Sequence, residues 1–111
     1  TNILGHPTGR LLLSRAGYPL DFKKIIDACA ANNVVIEINA NPLRLDLDWR
    51  WHRYALEKGV LLSINPDAHR TEGLLDMHYG VFVGRKGGLS ADKCLNAFSL
   101  EQITAYFNSK K

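Results

Sequence analysis

Val60-Leu61-Leu62-Ser63-Ile64-Asn65-Pro66-Asp67-Ala68-His69 is the stretch on which the fold turns. The apolar run Val60 to Ile64 predicts a buried strand, and an Asp-x-His pair stands where that strand should end. On extended backbone such a pair projects both side chains to the same side, because side chains alternate with period two. A hard oxygen and a borderline nitrogen meeting at one point make half of a divalent-metal site. The plainer alternative is that Asp67 caps the next turn and His69 lies on the surface.

Working outward from that strand, Asp46 or Asp48 can cap a helix running through Trp51, Ala55 and Leu56 to Gly59, a natural stop. Before it, Val34-Val35-Ile36-Glu37-Ile38 is the clearest strand, β-branched and nearly all apolar. Glu37 is its late polar exception, and Asn39-Ala40-Asn41-Pro42 follows as a loop. Asp21 is a candidate N-cap for a further helix, with Phe22, Ile25, Ile26 and Cys29 on one stripe and Asn32-Asn33 at its end. The first segment, Asn2 to His6, reads as a short strand, and Thr8-Gly9-Arg10 as a tight exposed loop. Leu11-Leu12-Leu13 fits a short helix or a packing plug.

Downstream, Thr71 to Lys86 is ambiguous. Val81-Phe82-Val83 has strand propensity in a setting that suits a helix, and Gly87-Gly88 ends it. Ser90 opens a short helix through Cys94. Ser99 and Gln102 form a capping box for a last helix with Leu100, Ile103, Tyr106 and Phe107 on its stripe.

Strands near residues 4, 36 and 62 separated by helices make two βαβ units, so the class is α/β with about three parallel strands and flanking helices. His6, Glu37, Asn39, Asp67 and His69 then fall at the carboxyl ends of the strands, the edge where parallel α/β folds build sites.

The 111 residues amount to one domain or part of one, and 46% hydrophobic content supports a real core. A net charge of +3 is compatible with a phosphate-bearing partner without identifying it. Cys29 and Cys94 are far apart, each in a helical pattern, which favours two reduced or buried thiols over a disulfide. No apolar stretch reaches membrane-span length and no signal peptide is visible, so a cytoplasmic setting without membrane partners is expected.

Gly5-His6-Pro7-Thr8-Gly9-Arg10, Ile36-Glu37-Ile38-Asn39-Ala40-Asn41-Pro42 and Ser63-Ile64-Asn65-Pro66-Asp67-Ala68-His69, taken in this order, resemble the PHP (polymerase and histidinol phosphatase) family. The likeness is greatest to the C-terminal PHP domain of bacterial and archaeal family X DNA polymerases, and it runs over residues 1–111. The resemblance implies the C-terminal part of a distorted, TIM-like β/α barrel of seven strands. It also implies a cluster of divalent metals (manganese or zinc, with iron a third option) that hydrolyses phosphoesters. In the family X polymerases that activity is a manganese-dependent 3′-5′ exonuclease and related DNA end-processing.

Carried over by position, His6, Asp67 and His69 match metal ligands, and Glu37 and Asn39 match polar residues around the cluster. Arg10 and Arg44 are candidates for holding a DNA phosphate, with surface arginines as the alternative. Thr8 and Asn41 are weaker candidates. His52 reads as a surface or packing residue, and His78 as non-functional. Trp49 and Trp51 read as packing residues rather than base-stacking platforms.

The family's His-x-His pair and other early ligands belong to strands upstream of Thr1. The chain is therefore expected to be a fragment that cannot assemble the full cluster alone, and to be inactive by itself. DNA, the upstream part of the polypeptide and a second copy of the fragment are the expected partners. Two other readings remain beside the nuclease. One is a small-molecule phosphatase of histidinol-phosphatase type; the other is a non-catalytic structural or DNA-binding module.

Overall fold

The computed structural model describes residues 1–12, 17 and 20–109, and every structural statement concerns these. Its sheet holds three parallel strands in the order β1-β2-β3: β1 is Ile3–Leu4, β2 is Val35–Asn39 and β3 is Leu62–Asn65. Helices cross between them, as the two βαβ units require. Val35, Ile36, Ile38, Leu62 and Ile64 are all buried, and Ile36, Ile38, Leu62 and Ile64 share one core with Ile26, Cys29 and Ala55 from the helices. Each such side chain contributes about 1.5–3 kcal/mol by leaving water.

β1 is shorter than expected. His6 leaves extended backbone at φ 24°, and the Gly9 N–H closes a turn on the His6 carbonyl at 3.0 Å. Leu11 and Leu12 are half-buried, and the Leu12 N–H donates to the Leu43 carbonyl; Leu13 lies outside the described residues. Helix α1, Phe22–Ala31, starts at Asp21, whose carboxylate accepts from the Lys24 N–H at 3.2 Å. Its stripe meets the core through Ile26 and Cys29, and Asn33 turns the chain toward β2 at φ 55°.

The two capping candidates before α2, His52–Glu57, separate cleanly. Asp48 caps a 3-10 turn at Trp49–Trp51 by accepting from the Arg50 N–H at 3.0 Å, and that turn runs into α2. Asp46 is fully buried and caps nothing. Trp51 packs as expected, with its ring 5.1 Å from Phe22 and 6.2 Å from Tyr54.

The ambiguous stretch becomes a 3-10 turn, Thr71–Asp76, followed by α3, Met77–Lys86. Glycine decides the outcome. A Cβ on Gly80 would stand 2.5 Å from Ile64 Cγ2 and 2.7 Å from Ala40 Cβ, so α3 lies directly on the sheet. Helical backbone at Val81-Phe82-Val83 follows from that close approach, and local strand propensity gives way to packing.

Two expectations near the C-terminus need correction. Residues Ser90 to Cys94 do not form one helix. Two 3-10 turns, Ala91–Lys93 and Leu95–Ala97, flank an extended Cys94 that bridges Leu62 in parallel. Helix α4, Leu100–Asn108, has the predicted Ser99–Gln102 capping box, yet Leu100 is 82% exposed. Further along, the Tyr106 hydroxyl donates to the carbonyl of Asn33, in the turn before β2, at 2.6 Å.

Both cysteines are free and buried, and burial pushes the Cys29 thiol up from its ordinary pKa. Among the described residues no helix is long and apolar enough to cross a membrane.

Candidate functional site

The register aligns Glu37 with Ser63 and Asn39 with Asn65, so four polar side chains share one face of β2 and β3 near their carboxyl ends. Glu37 organises them. Its Oε2 accepts the His6 N–H at 2.6 Å and the Asn39 amide at 3.4 Å, and its Oε1 accepts the Asn65 amide at 2.9 Å. Asn39 also donates to Asp67 Oδ2 at 3.2 Å. One hydrogen-bonded chain therefore joins His6, Glu37, Asn39 and Asp67 across the ends of all three strands. A carboxylate that takes three N–H donors is held in one orientation.

Asn65 is a member of this cluster that no sequence motif singles out. Its signal is the period-two alternation of Ser63 and Asn65 against Leu62 and Ile64, matched by Glu37 and Asn39 on the neighbouring strand.

Asp67 and His69 meet in a different way from the one their spacing predicts. Asp67 sits at φ 55°, in the left-handed region, so the extended-backbone argument does not hold there. The pair is joined through the backbone: His69 Nδ1 lies 2.8 Å from the Asp67 carbonyl oxygen. A carbonyl only accepts, so Nδ1 carries the proton, and in that tautomer the lone pair lies on Nε2. The His69 side chain is 84% exposed, and its Nδ1 lies 3.9 Å from Asp67 Oδ1. Asp67 Oδ2 is 3.4 Å from Arg44 Nε. His6 is exposed, and its imidazole has no hydrogen-bond or ion-pair partner among the described residues.

These donors suit a divalent ion in type: carboxylate oxygen, and imidazole nitrogen with the tautomer fixed from behind. They are too few in number. Among the described residues no group of three or more His, Cys, Asp or Glu side chains is gathered closely enough to hold a metal ion.

The two arginines differ. Arg10 is bound into the fold: Nη1 to Asp48 Oδ2 at 3.0 Å, Nε to the Arg44 carbonyl at 2.7 Å, and Nη2 to the Leu45 carbonyl. Arg44 returns one bond, Nη1 to the Arg10 carbonyl at 3.3 Å, and turns its Nε toward Asp67. Asp48 sits between cations. Hydrogen bonds from Arg50 hold its carboxyl well below the usual range; burial opposes this, and Arg10 adds to it. The Thr8 hydroxyl donates to Asp46 at 2.8 Å, and the Asn41 side chain accepts the Leu43 N–H at 2.9 Å.

A cleft of about 410 Å³ opens beside Asp67 and His69, lined also by Asn41, Leu43, Arg70 and Asp76. A larger cavity, about 630 Å³, lies away from these groups, at Leu4, Ile25, Cys29 and Val34. His52 is a buried packing residue, as one of its two expected roles has it. His78 is exposed and donates from Nδ1 to the Leu75 carbonyl at 2.6 Å. Trp49 is 38% exposed with Lys86 Nζ 4.5 Å from its ring centroid.

No protein-family model matches the chain. It is 46% identical over 105 residues to the DNA polymerase/3'-5' exonuclease PolX of Bacillus subtilis (strain 168). The overlap covers 95% of this chain and 18% of that polymerase. The chain is thus homologous to one region of a family X DNA polymerase and spans less than a fifth of its length.

Proposed function

We propose that this chain supplies one rim of a divalent-metal phosphoesterase site, within a PHP-type barrel that trims DNA 3′ ends in a family X repair polymerase. The observation that carries the reading is the hydrogen-bonded chain from His6 through Glu37 and Asn39 to Asp67, which ties the carboxyl ends of three parallel strands. His6, Asp67 and His69 are the ligands in this proposal. His6 has an uncommitted imidazole, and His69 has its Nδ1 proton spent on a backbone carbonyl, which leaves Nε2 for a cation. Glu37 and Asn39 hold the backbone of His6 and the carboxylate of Asp67 in place.

Bound divalent cations supply a hydroxide near neutral pH and offset the charge of the phosphodiester. Arg44, one-fifth exposed beside Asp67, is assigned to the phosphate. Arg10 is assigned to the loop instead, because each guanidinium nitrogen already has an acceptor within the chain. The remaining ligands belong to other parts of the polypeptide. The similarity to PolX supports DNA as the substrate.

The test is manganese-dependent digestion of a labelled DNA strand by the full-length protein, beside His6→Ala and His69→Ala. Loss of a ligand should lower the rate by about a hundredfold or more, beyond the 10–100-fold typical of outer-shell changes. Undiminished digestion by either variant removes that residue from the proposed ligand set.

A further inference from the structure

Asp46 is fully buried, yet it is neither a cap nor one of the proposed ligands. Its Oδ2 accepts three donors from one short turn: the Thr8 N–H at 2.8 Å, the Thr8 hydroxyl at 2.8 Å and the Gly9 N–H at 3.2 Å. That turn begins at His6, whose carbonyl takes the Gly9 N–H at 3.0 Å. His6 itself stands at φ 24°, a conformation that a non-glycine residue keeps only when its surroundings impose it. The imposing groups are carboxylates on both sides: Glu37 on the His6 N–H and Asp46 on the turn that follows.

Asp46 is fixed in its turn. Its carbonyl accepts the Asn39 N–H in an antiparallel bridge, and the next residue, Leu47, donates its N–H to the Glu37 carbonyl at 3.2 Å. Residues 44–48 therefore rest on the end of β2 and reach across to the loop after β1. Arg10 repeats the contact at the far end of that loop, with two carbonyls and Asp48 as acceptors.

We infer that Asp46 is a positioning residue for His6: it holds the Thr8–Gly9 turn so that the imidazole faces the rim shared with Asp67. The inference rests on His6 being a metal ligand, as proposed above. Burying a carboxylate is costly unless donors compensate it, and three donors from a single turn give that burial a local purpose. Thr8 is the second half of the device, since its hydroxyl both donates to Asp46 and accepts the Arg10 N–H at 3.2 Å.

The experiment compares Asp46→Asn, Thr8→Val and Thr8→Ser in the full-length protein by two measurements. The first is amide hydrogen exchange of Thr8 and Gly9 without added metal, with the amides of β2 and β3 as internal controls. The second is the manganese concentration that gives half-maximal DNA digestion. Asp46→Asn should speed exchange at residues 8 and 9, leave the strand amides unchanged, and raise the manganese requirement by about tenfold or more. Thr8→Val should shift both in the same direction, and Thr8→Ser, which keeps the hydroxyl, should restore them.

Faster turn exchange with a wild-type manganese requirement would overturn the inference. So would loss of protection in the strands as well, which would make Asp46 a general stabiliser. His6→Ala in parallel separates the two levels. If it too keeps the wild-type manganese requirement, the ligand assignment fails; if it abolishes digestion while Asp46→Asn does not raise the requirement, only the positioning role fails.

Discussion

Asn96 takes the place of a missing neighbour for Ile64. Its Nδ2 donates to the Ile64 carbonyl at 2.8 Å, and its Oδ1 accepts the Ile64 N–H at 2.7 Å. One side-chain amide thus satisfies both backbone groups of an edge-strand residue, which blunts that edge against pairing with another chain. Asn96→Asp should destabilise the protein by about 1–3 kcal/mol, because a carboxylate cannot donate to the carbonyl and two oxygens then face each other. Urea unfolding measures the change. An unaltered midpoint would mean that water serves Ile64 equally well.

His52 gives the protein a stability that depends on acid. Its Nε2–H donates to the Leu47 carbonyl at 2.9 Å, and its buried Nδ1 has no hydrogen-bond partner among the described residues. Gly87 makes the room: a Cβ there would stand 2.3 Å from Nδ1. Burial pushes the His52 pKa down from 6.5, with the Leu47 carbonyl and Asp48 opposing. The unfolded chain therefore takes the proton more readily. The stability is fully present above pH 6.5 and is lost as pH falls from there through the lower folded value. The slope reaches at most about 1.4 kcal/mol per pH unit. His52→Gln, which keeps an N–H for Leu47, should flatten that slope in denaturation curves between pH 7 and pH 5, and an unchanged slope would clear His52.

Gly80 and Gly84 are both buried on α3, but they differ in what a methyl group would meet. At Gly80 the neighbours are Ile64 and Ala40, at 2.5 and 2.7 Å; at Gly84 the nearest is the flexible end of Leu89, at 3.1 Å. Gly80→Ala should cost about 1–3 kcal/mol through overpacking, and Gly84→Ala should cost clearly less. Equal melting temperatures for the two variants would contradict the direct seating of α3 on the sheet.

Arg10→Lys tests the loop bracket. A lysine keeps the charge near Asp48 but cannot reach two carbonyls and a carboxylate in one planar fork. At a side chain only 21% exposed, losing two of the three contacts should cost about 1–3 kcal/mol. If Arg10 faced DNA rather than the loop, the variant would instead retain its stability and bind DNA less tightly.

Local features were legible in the residues. Asp21 and Ser99 cap the helices they were expected to cap, and the apolar runs around Ile36 and Ile64 became the two longer strands. Glu37 and Asn39 could be placed at a strand end because period two carries them there. The positive φ of Asp67 and the commitments of Arg10 and Asp46 were not legible. Each depends on loops that meet only after folding: Thr8 and Asp46 are 38 residues apart, and neither loop has a repeating pattern to read. The α3 segment stays ambiguous in the sequence for a related reason, since what settles it is the fit of Gly80 against Ile64 and Ala40.

Tyr106 has a consequence for the order in which the molecule can be assembled. Its hydroxyl donates to the Asn33 carbonyl, and also to that of Asn2 at 3.3 Å, a contact spanning 104 positions. Closing so long a loop costs entropy before any packing compensates it, and topologies dominated by distant contacts fold slowly. The Tyr106 bonds to Asn2 and Asn33 therefore close last during synthesis, after α4 has left the ribosome, while β1, β2 and β3 can already pair.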